Sequence, residues 1–267
     1  MKPKVIALLS DFGLKDPYVA EMKAVILDKC PDAKIVDISH EVGKFDIRMG
    51  AFILASAAPY FPEGTVHVAV VDPSVGTQRR PVIVETGRGF FVGPDNGVIM
   101  LAALREGLTH VYVIENSRFM LPRVSRTFHG RDVFAPTAAH LALGVDASEF
   151  WREIRDYMMP EFANPVLKEN TMFGEVLHVD DFGNIITNIS SDTMKKLTFH
   201  ENESLQAKLG KKTATLRLCS AYGEVAKGKP LLILGSHDFL EISVNQGNAA
   251  RLFGIKRGDL IRVRRRV

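Results

Sequence analysis

Short apolar runs and a helix-like segment alternate at the start of the chain. Residues 5–9 are continuously apolar, and residues 34–38 form a second strand-like run. Between them, apolar side chains recur at the spacing of one helix face, at Val19, Met22, Val25 and Ile26. This order predicts a β-α-β unit.

The same alternation continues through the first 155 residues. Predicted helices cover residues 47–57, 97–105 and 134–143, and predicted strands cover 65–71 and 110–114. Strands that are apolar on both faces and separated by helices are typical of parallel sheets lying between helices. We therefore assign residues 1–155 to an N-terminal α/β domain with a parallel sheet.

The pattern changes after residue 155. Residues 156–171 are polar and contain Pro160 and Pro165, which predicts a linker. From residue 172 to 267, short apolar runs are broken by Gly, Asp and Asn, which predicts a smaller all-β, barrel-like C-terminal domain. The basic residues at 262 and 264–266 are interpreted as a solvated final edge strand.

Composition narrows the classes of partner. The 267 residues are 46% hydrophobic and 24% charged, as in globular proteins, and the net charge is only +3. That charge gives no strong field to attract nucleic acid or an anionic membrane, which favours a small-molecule partner. Cys30 and Cys219 lack the spacing of a disulfide framework or a zinc site. No apolar run is long enough to span a membrane. We therefore expect a cytoplasmic protein.

Common cofactor motifs are absent or misplaced. The sequence has no phosphate-binding P-loop, and its histidines lack HExxH spacing, so neither a metal nor a cofactor is predicted. Gly87, Gly89 and Gly93 resemble a dinucleotide fingerprint, but they lie between two strand-like runs. That context favours a β-hairpin.

Polar residues at strand ends are the first candidates for a site. Asp11, Asp37 and Asp72 fall at the ends of predicted parallel strands, at the sheet edge where α/β proteins place ligands, although each could also cap a helix or a turn. Arg79 follows Asp72 on one loop and can pair with it, in a site or as a structural ion pair. His129 precedes a predicted helix, where a capping role is the alternative.

Five ordered blocks together resemble the S-adenosylmethionine hydroxide adenosyltransferases, a family similar to the bacterial fluorinase and chlorinase. The blocks lie at residues 10–13, 71–81, 128–132, 180–188 and 244–249, and they include SDFG, FHGRD, DDFGNIITN and VNQGNA. The resemblance spans nearly the whole chain. It implies a two-domain homotrimer with a nucleoside site between the N-terminal domain of one subunit and the C-terminal domain of the next.

The resemblance also implies a hydrolytic triad of Asp72, Arg79 and His129. The halogenating branch lacks this triad and has a serine at the position of Gly130. Water is therefore the implied nucleophile, S-adenosylmethionine the implied substrate, and adenosine and methionine the implied products. The sequence leaves open whether Asp72 or His129 accepts the proton.

Further roles carried over from the family concern the nucleoside. Asp11 would accept hydrogen bonds from the ribose hydroxyls, while Phe45, Phe61 and Phe128 match aromatic positions near the substrate. Phe182 and Tyr222 would flank adenine. The adenine edge would be read by the Asn184 amide together with main-chain groups near Val244 and Gln246.

The methionine end is implied to involve two polar residues. Asp180 would bind the ammonium group and Ser236 the carboxylate. The chain departs from the halogenases here, because His237 stands where they have an arginine and the segment around Asp180 is one residue shorter. A protein that binds adenosine or S-adenosylmethionine without turnover remains the alternative to an enzyme, and nucleic-acid binding through residues 264–266 ranks last.

Overall fold

A computed structural model describes residues 4–197 and 199–265. The chain divides after Pro160 into two compact units. The segment predicted as a linker contains a short 3-10 turn at Glu161–Ala163 and the first strand of the second unit. Among the described residues, no helix combines the length and the apolar character needed to cross a membrane.

The first unit is built on a six-stranded sheet between helices. Its strands are β1 (Val5–Ser10), β2 (Lys34–Ser39), β3 (Thr65–Val70), β4 (Pro81–Thr86), β5 (Gly89–Pro94) and β6 (Leu108–Val113), in the order β2-β1-β3-β5-β4-β6. Its helices are α1 (Tyr18–Lys29), α2 (Ile47–Ala57), α3 (Met100–Arg105) and α4 (Ala135–Ala142). β1, β2, β3 and β5 are parallel, whereas β4 runs antiparallel to both of its neighbours. The predicted α/β fold and the hairpin around Gly87 are confirmed.

Side chains that alternate along the strands pack against helices on both faces of the sheet. Ile6 and Leu8 of β1 pack with Met22 of α1 and with α4 in one buried cluster. On the other face, α2 approaches the sheet closely at Gly50, where an added Cβ would lie 3.0 Å from a Val71 methyl group. Because both faces are covered, ligand access is directed to the strand ends.

The second unit is a closed seven-stranded barrel with one added strand. Its strands are β7 (Val166–Lys168), β8 (Thr171–Val179), β9 (Ile185–Ser190), β10 (Ser204–Leu209), β11 (Lys212–Cys219), β12 (Pro230–Leu234), β13 (Phe239–Val244) and β14 (Leu260–Arg265), with short helices α5 (Ser191–Lys195) and α6 (Ala249–Phe253). The order β14-β10-β11-β12-β13-β9-β8 closes through a β14–β8 pairing, and β7 adds to β8. The predicted barrel-like domain is confirmed.

The interpretation of the basic segment as an edge strand is wrong. β14 pairs with β10 on one side and β8 on the other, because it is the strand that closes the barrel. Its arginines are nevertheless exposed: Arg264 donates to Gln206 and Arg265 to Glu203. Arg266 lies outside the described residues.

Candidate active site

A buried ion pair forms in the loop after β3. The Nε of Arg79 lies 3.1 and 2.9 Å from the two carboxylate oxygens of Asp72, and its Nη2 donates to the same carboxylate. The two side chains are only 6% and 5% exposed. Charges desolvated to this degree interact strongly, and the two-point contact fixes the orientation of both groups.

His129 completes the cluster. Its Nδ1 lies 2.8 Å from Nη2 of Arg79. A guanidinium only donates, so Nδ1 must accept and the ring proton resides on Nε2. Burial and the positive charge of Arg79 lower the pKa of His129 below its usual value, against the opposing effect of Asp72 and Asp132. The predicted meeting of these three side chains is therefore seen in the structure.

A change of helix type places His129. The residue directly precedes a π-helical turn at Gly130–Phe134, which continues into α4. Such turns widen a helix locally and are frequent at functional sites. The Phe134 ring lies 5.4 Å from the Arg79 guanidinium carbon, so the same turn carries a cation-π partner for the arginine.

Residues that sequence reasoning missed support these loops. The side-chain amide of Asn96, just beyond β5, donates to the main-chain oxygen of Val71 at 2.8 Å. Asp132, fully buried, binds Arg131 at 2.6 Å and accepts from the main chain of Ser125 at 2.7 Å. A lone Asn after a strand and an Asp inside FHGRD were visible in the sequence, but nothing there identified their partners.

Asp11 is held at the end of the neighbouring strand β1. It is 5% exposed, its Oδ2 accepts a hydrogen bond of 2.8 Å from the Phe45 main chain, and its main-chain oxygen accepts from Lys44. Phe45 adopts a left-handed conformation with φ of 64°, and its ring is 68% exposed. A non-glycine residue in that region costs about 1–3 kcal/mol, and such strain concentrates at ligand sites.

Three aromatic rings connect the Asp11 turn to the histidine loop. Phe12 lies 5.6 Å from Tyr18 and 5.7 Å from Phe128, measured between ring centroids, and Tyr18 and Phe128 are 5.2 Å apart. Phe128 is 8% exposed. Its ring thus fixes the segment that carries His129, rather than presenting a free surface.

The structure does not bring Phe61 to this edge of the sheet. Phe61 lies before β3, at the opposite end of the strand from Asp72. Its ring contacts the buried His67 at a centroid distance of 5.2 Å, and its main-chain oxygen accepts from Arg88. Within one chain Phe61 therefore covers His67, and its place near the substrate stays a prediction.

In the second unit, Asp180 and Asn184 bind each other within the β8–β9 turn. The carboxylate of Asp180 accepts from the main chain and from the side-chain amide of Asn184, both at 2.8 Å. Phe182, at the tip, is 78% exposed. Gly183 has φ of 84°, and an added Cβ would lie 2.1 Å from the Asn248 side chain, so the turn requires glycine.

A second polar cluster joins Tyr222 to Glu241 of β13, a residue that sequence reasoning missed. The Tyr222 hydroxyl donates to Glu241 at 3.0 Å. Burial raises the pKa of Glu241, and the nearby negative charge of Asp180 adds to that rise. Burial and Glu241 raise the pKa of Tyr222 to about 12. A single acid in a strand of mainly apolar residues was the available sequence signal.

The remaining predicted residues lie at the two ends of β13. Ser236 is exposed and His237 is half-buried, both in the turn before the strand. Val244 ends the strand with its side chain in the barrel core, so only its main chain is available to a ligand. Gln246 follows with φ of 51° and an exposed side chain.

No cluster of three or more His, Cys, Asp or Glu residues suited to hold a metal ion occurs within residues 4–197 and 199–265. That the protein requires neither a metal nor a cofactor stays a prediction.

An α/β sheet with a buried Asp-Arg-His cluster at its edge, followed by a small closed barrel, defines the class of protein. The chain matches the SAM hydroxide adenosyltransferase N-terminal domain over residues 6–151 and the C-terminal domain of the same family over residues 174–262. It belongs to the SAM hydroxide adenosyltransferase family and is therefore an enzyme of that class. The resemblance inferred from the motifs is confirmed.

Individual relatives agree with this assignment. The (R)-S-adenosyl-L-methionine hydrolase of Thermus thermophilus is 39% identical to this chain. The alignment covers 98% of this chain and 100% of that protein. The hydrolase of the same name from Methanocaldococcus jannaschii is 36% identical, covering 97% of this chain and 95% of that protein. A fluorinase from Actinoplanes sp. is 28% identical, with 97% of each chain covered.

A solved structure shows the same fold. The crystal structure of an uncharacterized conserved protein from Thermotoga maritima has 38% sequence identity and a TM-score of 0.87, covering 97% of this chain and 100% of that one.

Proposed function

We propose that this protein hydrolyses S-adenosyl-L-methionine to adenosine and L-methionine, by attack of water on the ribose C5′. The observation that carries the proposal is the buried contact of Asp72, Arg79 and His129, with Nη2 of Arg79 bonded to both other residues. Relatives named (R)-S-adenosyl-L-methionine hydrolase support the same substrate and reaction type.

The reaction removes the positive charge of the sulfonium sulfur that is bonded to the attacked carbon. The water oxygen forms a bond to C5′ while the C5′–S bond breaks, and its electron pair returns to sulfur, which leaves as the neutral thioether of methionine. Because the sulfonium is already a good leaving group, the enzyme has to supply an oriented water and a place for its proton. A buried site favours this charge annihilation, since water no longer solvates the separated charges.

The tautomer of His129 indicates which residue of the triad accepts the proton of the water. While Nδ1 accepts from Arg79 and Nε2 carries the proton, the imidazole has no free lone pair. The Asp72 carboxylate retains lone pairs beside its bonds to Arg79, so we assign it the water proton. Arg79 then stabilises the developing hydroxide, and Nε2–H of His129 orients the water as a donor.

The substrate is held by groups from both units. Asp11 binds the ribose hydroxyls and Phe45 covers the nucleoside, while Phe182 and Tyr222 flank adenine. Asn184, oriented by Asp180, offers its free amide positions to the adenine edge. As the family resemblance implies, these halves meet between neighbouring subunits of a homotrimer.

The test is incubation of the purified protein with S-adenosylmethionine in oxygen-18 water, with and without chloride. We expect adenosine labelled with oxygen-18, unlabelled methionine and no chlorinated nucleoside. Asp72→Asn should lower the rate at least about 100-fold, as expected for loss of a general base. Asp28→Asn is the matched control, because Asp28 is 71% exposed and pairs only with Lys29 in the described structure.

Two results would contradict the proposal. Unlabelled adenosine would exclude attack by water at C5′. Ligand that is retained without turnover in the wild-type protein would instead support the alternative of a binding protein.

A further inference from the structure

A continuous chain of polar side chains lies behind Asp11, and the proposed reaction does not use it. The Oγ of Ser10 is 2.7 Å from Nδ1 of His40, and Nε2 of His40 is 3.1 Å from Asp37. The other oxygen of Asp37 lies 2.6 Å from the ammonium group of Lys23. Ser10 is 0% and His40 4% exposed.

The composition resembles a Ser-His-Asp nucleophilic triad, but burial excludes that chemistry. A nucleophilic serine must reach the substrate, and no part of Ser10 is exposed in the described structure. This series of hydrogen-bonded side chains therefore has its effect on the structure of the protein and not on a substrate.

The direction of each hydrogen bond follows from the groups involved. A carboxylate only accepts, so Nε2–H of His40 donates to Asp37. With the imidazole neutral, Nδ1 accepts from the Ser10 hydroxyl, whose oxygen in turn accepts from the main chain of Phe12 at 3.3 Å. Donors and acceptors thus alternate without conflict from Lys23 to Phe12.

His40 is joined to the Asp11 turn twice. Its side chain reaches Ser10, the residue before Asp11, and its main-chain oxygen accepts a hydrogen bond of 2.7 Å from Gly13, two residues after Asp11. Both flanks of Asp11 are consequently tied to one residue. The backbone of Asp11, which sets the direction in which its side chain leaves the turn, is thereby held on both sides.

We propose that His40, held between Ser10 and Asp37, is a positioning residue that orients the Asp11 carboxylate toward the two ribose hydroxyls. The inference rests on the proposed function, in which Asp11 binds ribose. It assigns a task to Asp37, an acid at a strand end that does not belong to the triad. It also explains why the exposed Asp37 carries two partners, since Lys23 holds the carboxylate in the position that His40 needs.

The test compares adenosine with 2′,3′-dideoxyadenosine, which lacks the hydroxyls that Asp11 would bind. Calorimetric affinities are measured for the wild-type protein, Ser10→Ala and Asp37→Ala. Each variant should bind adenosine about five- to tenfold more weakly, the loss expected for one buried hydrogen bond. Affinity for the dideoxy analogue should stay within about twofold, since the rest of the site is untouched.

Controls separate positioning from general damage. Asp37 is 38% exposed, so we expect Asp37→Ala to fold even if the fully buried Ser10 does not tolerate replacement. Asp28→Ala removes another ion pair at α1 and should change neither affinity. In an Asp11→Ala background, Asp37→Ala should add no further loss of adenosine affinity, because the group that it positions is absent.

The possible failures can be told apart. Equal losses for both ligands, or unchanged adenosine affinity, would overturn the role of His40 and leave the proposed reaction standing. A wild-type protein that does not prefer adenosine over the dideoxy analogue would overturn the ribose assignment of Asp11, and the inference with it.

Discussion

Arg79 is the residue on which the candidate site depends most. It binds the carboxylate of Asp72 and the ring of His129 with the same guanidinium. A lysine in its place would keep the positive charge but lose the forked geometry that reaches two partners at once.

Arg79→Lys should therefore lower kcat by about 100-fold or more, because stabilisation of a developing anion by a positioned donor is worth that much. KM should change less than about threefold, since this contact strengthens only as hydroxide forms. Steady-state kinetics with S-adenosylmethionine measure both constants. Equal losses of kcat and affinity would refute the assigned role.

His67 gives the first unit a dependence on pH that is independent of catalysis. It is 2% exposed and stacks on Phe91 at 4.8 Å, and burial lowers its pKa to about 4. The buried ring is neutral, whereas the unfolded chain takes up a proton near pH 6.5. Stability is thus fully present above pH 6.5 and falls as the pH drops toward 4.

The loss over that range should reach about 3 kcal/mol in the free energy of unfolding. Urea titrations at pH 7 and pH 4.5 measure it. His67→Leu, which cannot take up a proton, should show a smaller difference between the two pH values. An identical pH dependence in the variant would assign the effect to other groups.

At the scale of elements, the π-helical turn is the feature that places both His129 and Phe134. Gly130 opens this turn, and an added Cβ would lie 3.2 Å from the Met22 sulfur and 3.2 Å from the Phe128 ring. The neighbours must therefore shift to admit any side chain.

Gly130→Ser should lower kcat/KM and the midpoint of thermal unfolding, because the overpacked turn costs about 1–3 kcal/mol. It should form no chlorinated nucleoside in chloride, since Arg79 and Asp72 still orient water. Chromatography and mass spectrometry of the products measure this. A chlorinated product would show that the residue at position 130 alone selects the nucleophile.

Elements were easier to predict than contacts. The spacing of apolar residues and the continuous apolar runs predicted the alternating strands and helices of the first unit and the short strands of the barrel. They did so because burial on one or two faces of an element determines which of its positions are apolar. The reversal of β4 and the pairing of β14 on both sides left no such trace in the sequence. Both depend on which strands meet.

The same distinction holds for the site. Asp72, Arg79 and His129 were identified through motifs that the family shares. His40 and Asn96 were missed because their partners, Ser10 and the main chain of Val71, come together only through the sheet. Phe61 lies before the start of β3, at the other end of this strand from Asp72, and its predicted place near the substrate stays a prediction.

At the scale of the whole molecule, the proposed trimer makes each site a joint product of two chains. If one subunit supplies Asp72 and its neighbour supplies Asn184, two differently inactivated chains can repair each other. A mixed trimer then contains an interface in which both residues are intact.

Asp72→Asn and Asn184→Ala subunits, each weakly active alone, should therefore recover activity when unfolded and refolded together. In an equal mixture, the subunit on each side of a site carries its unmutated residue with a probability of about one half. Random assembly therefore predicts that about one quarter of the sites, and about one quarter of wild-type activity, are recovered. Light scattering establishes the trimer. No recovery, with mixed trimers present, would place each site within one chain.

The closing of the barrel by its last strand also determines when the protein can fold. Leu260 of β14 pairs with Glu175 of β8, so the second unit cannot close until nearly the whole chain has left the ribosome. The first unit, built from neighbouring strands and helices, can start folding earlier. A chain that stops before Leu260 would expose two open strand edges at once, and we expect it in the insoluble fraction of expressing cells.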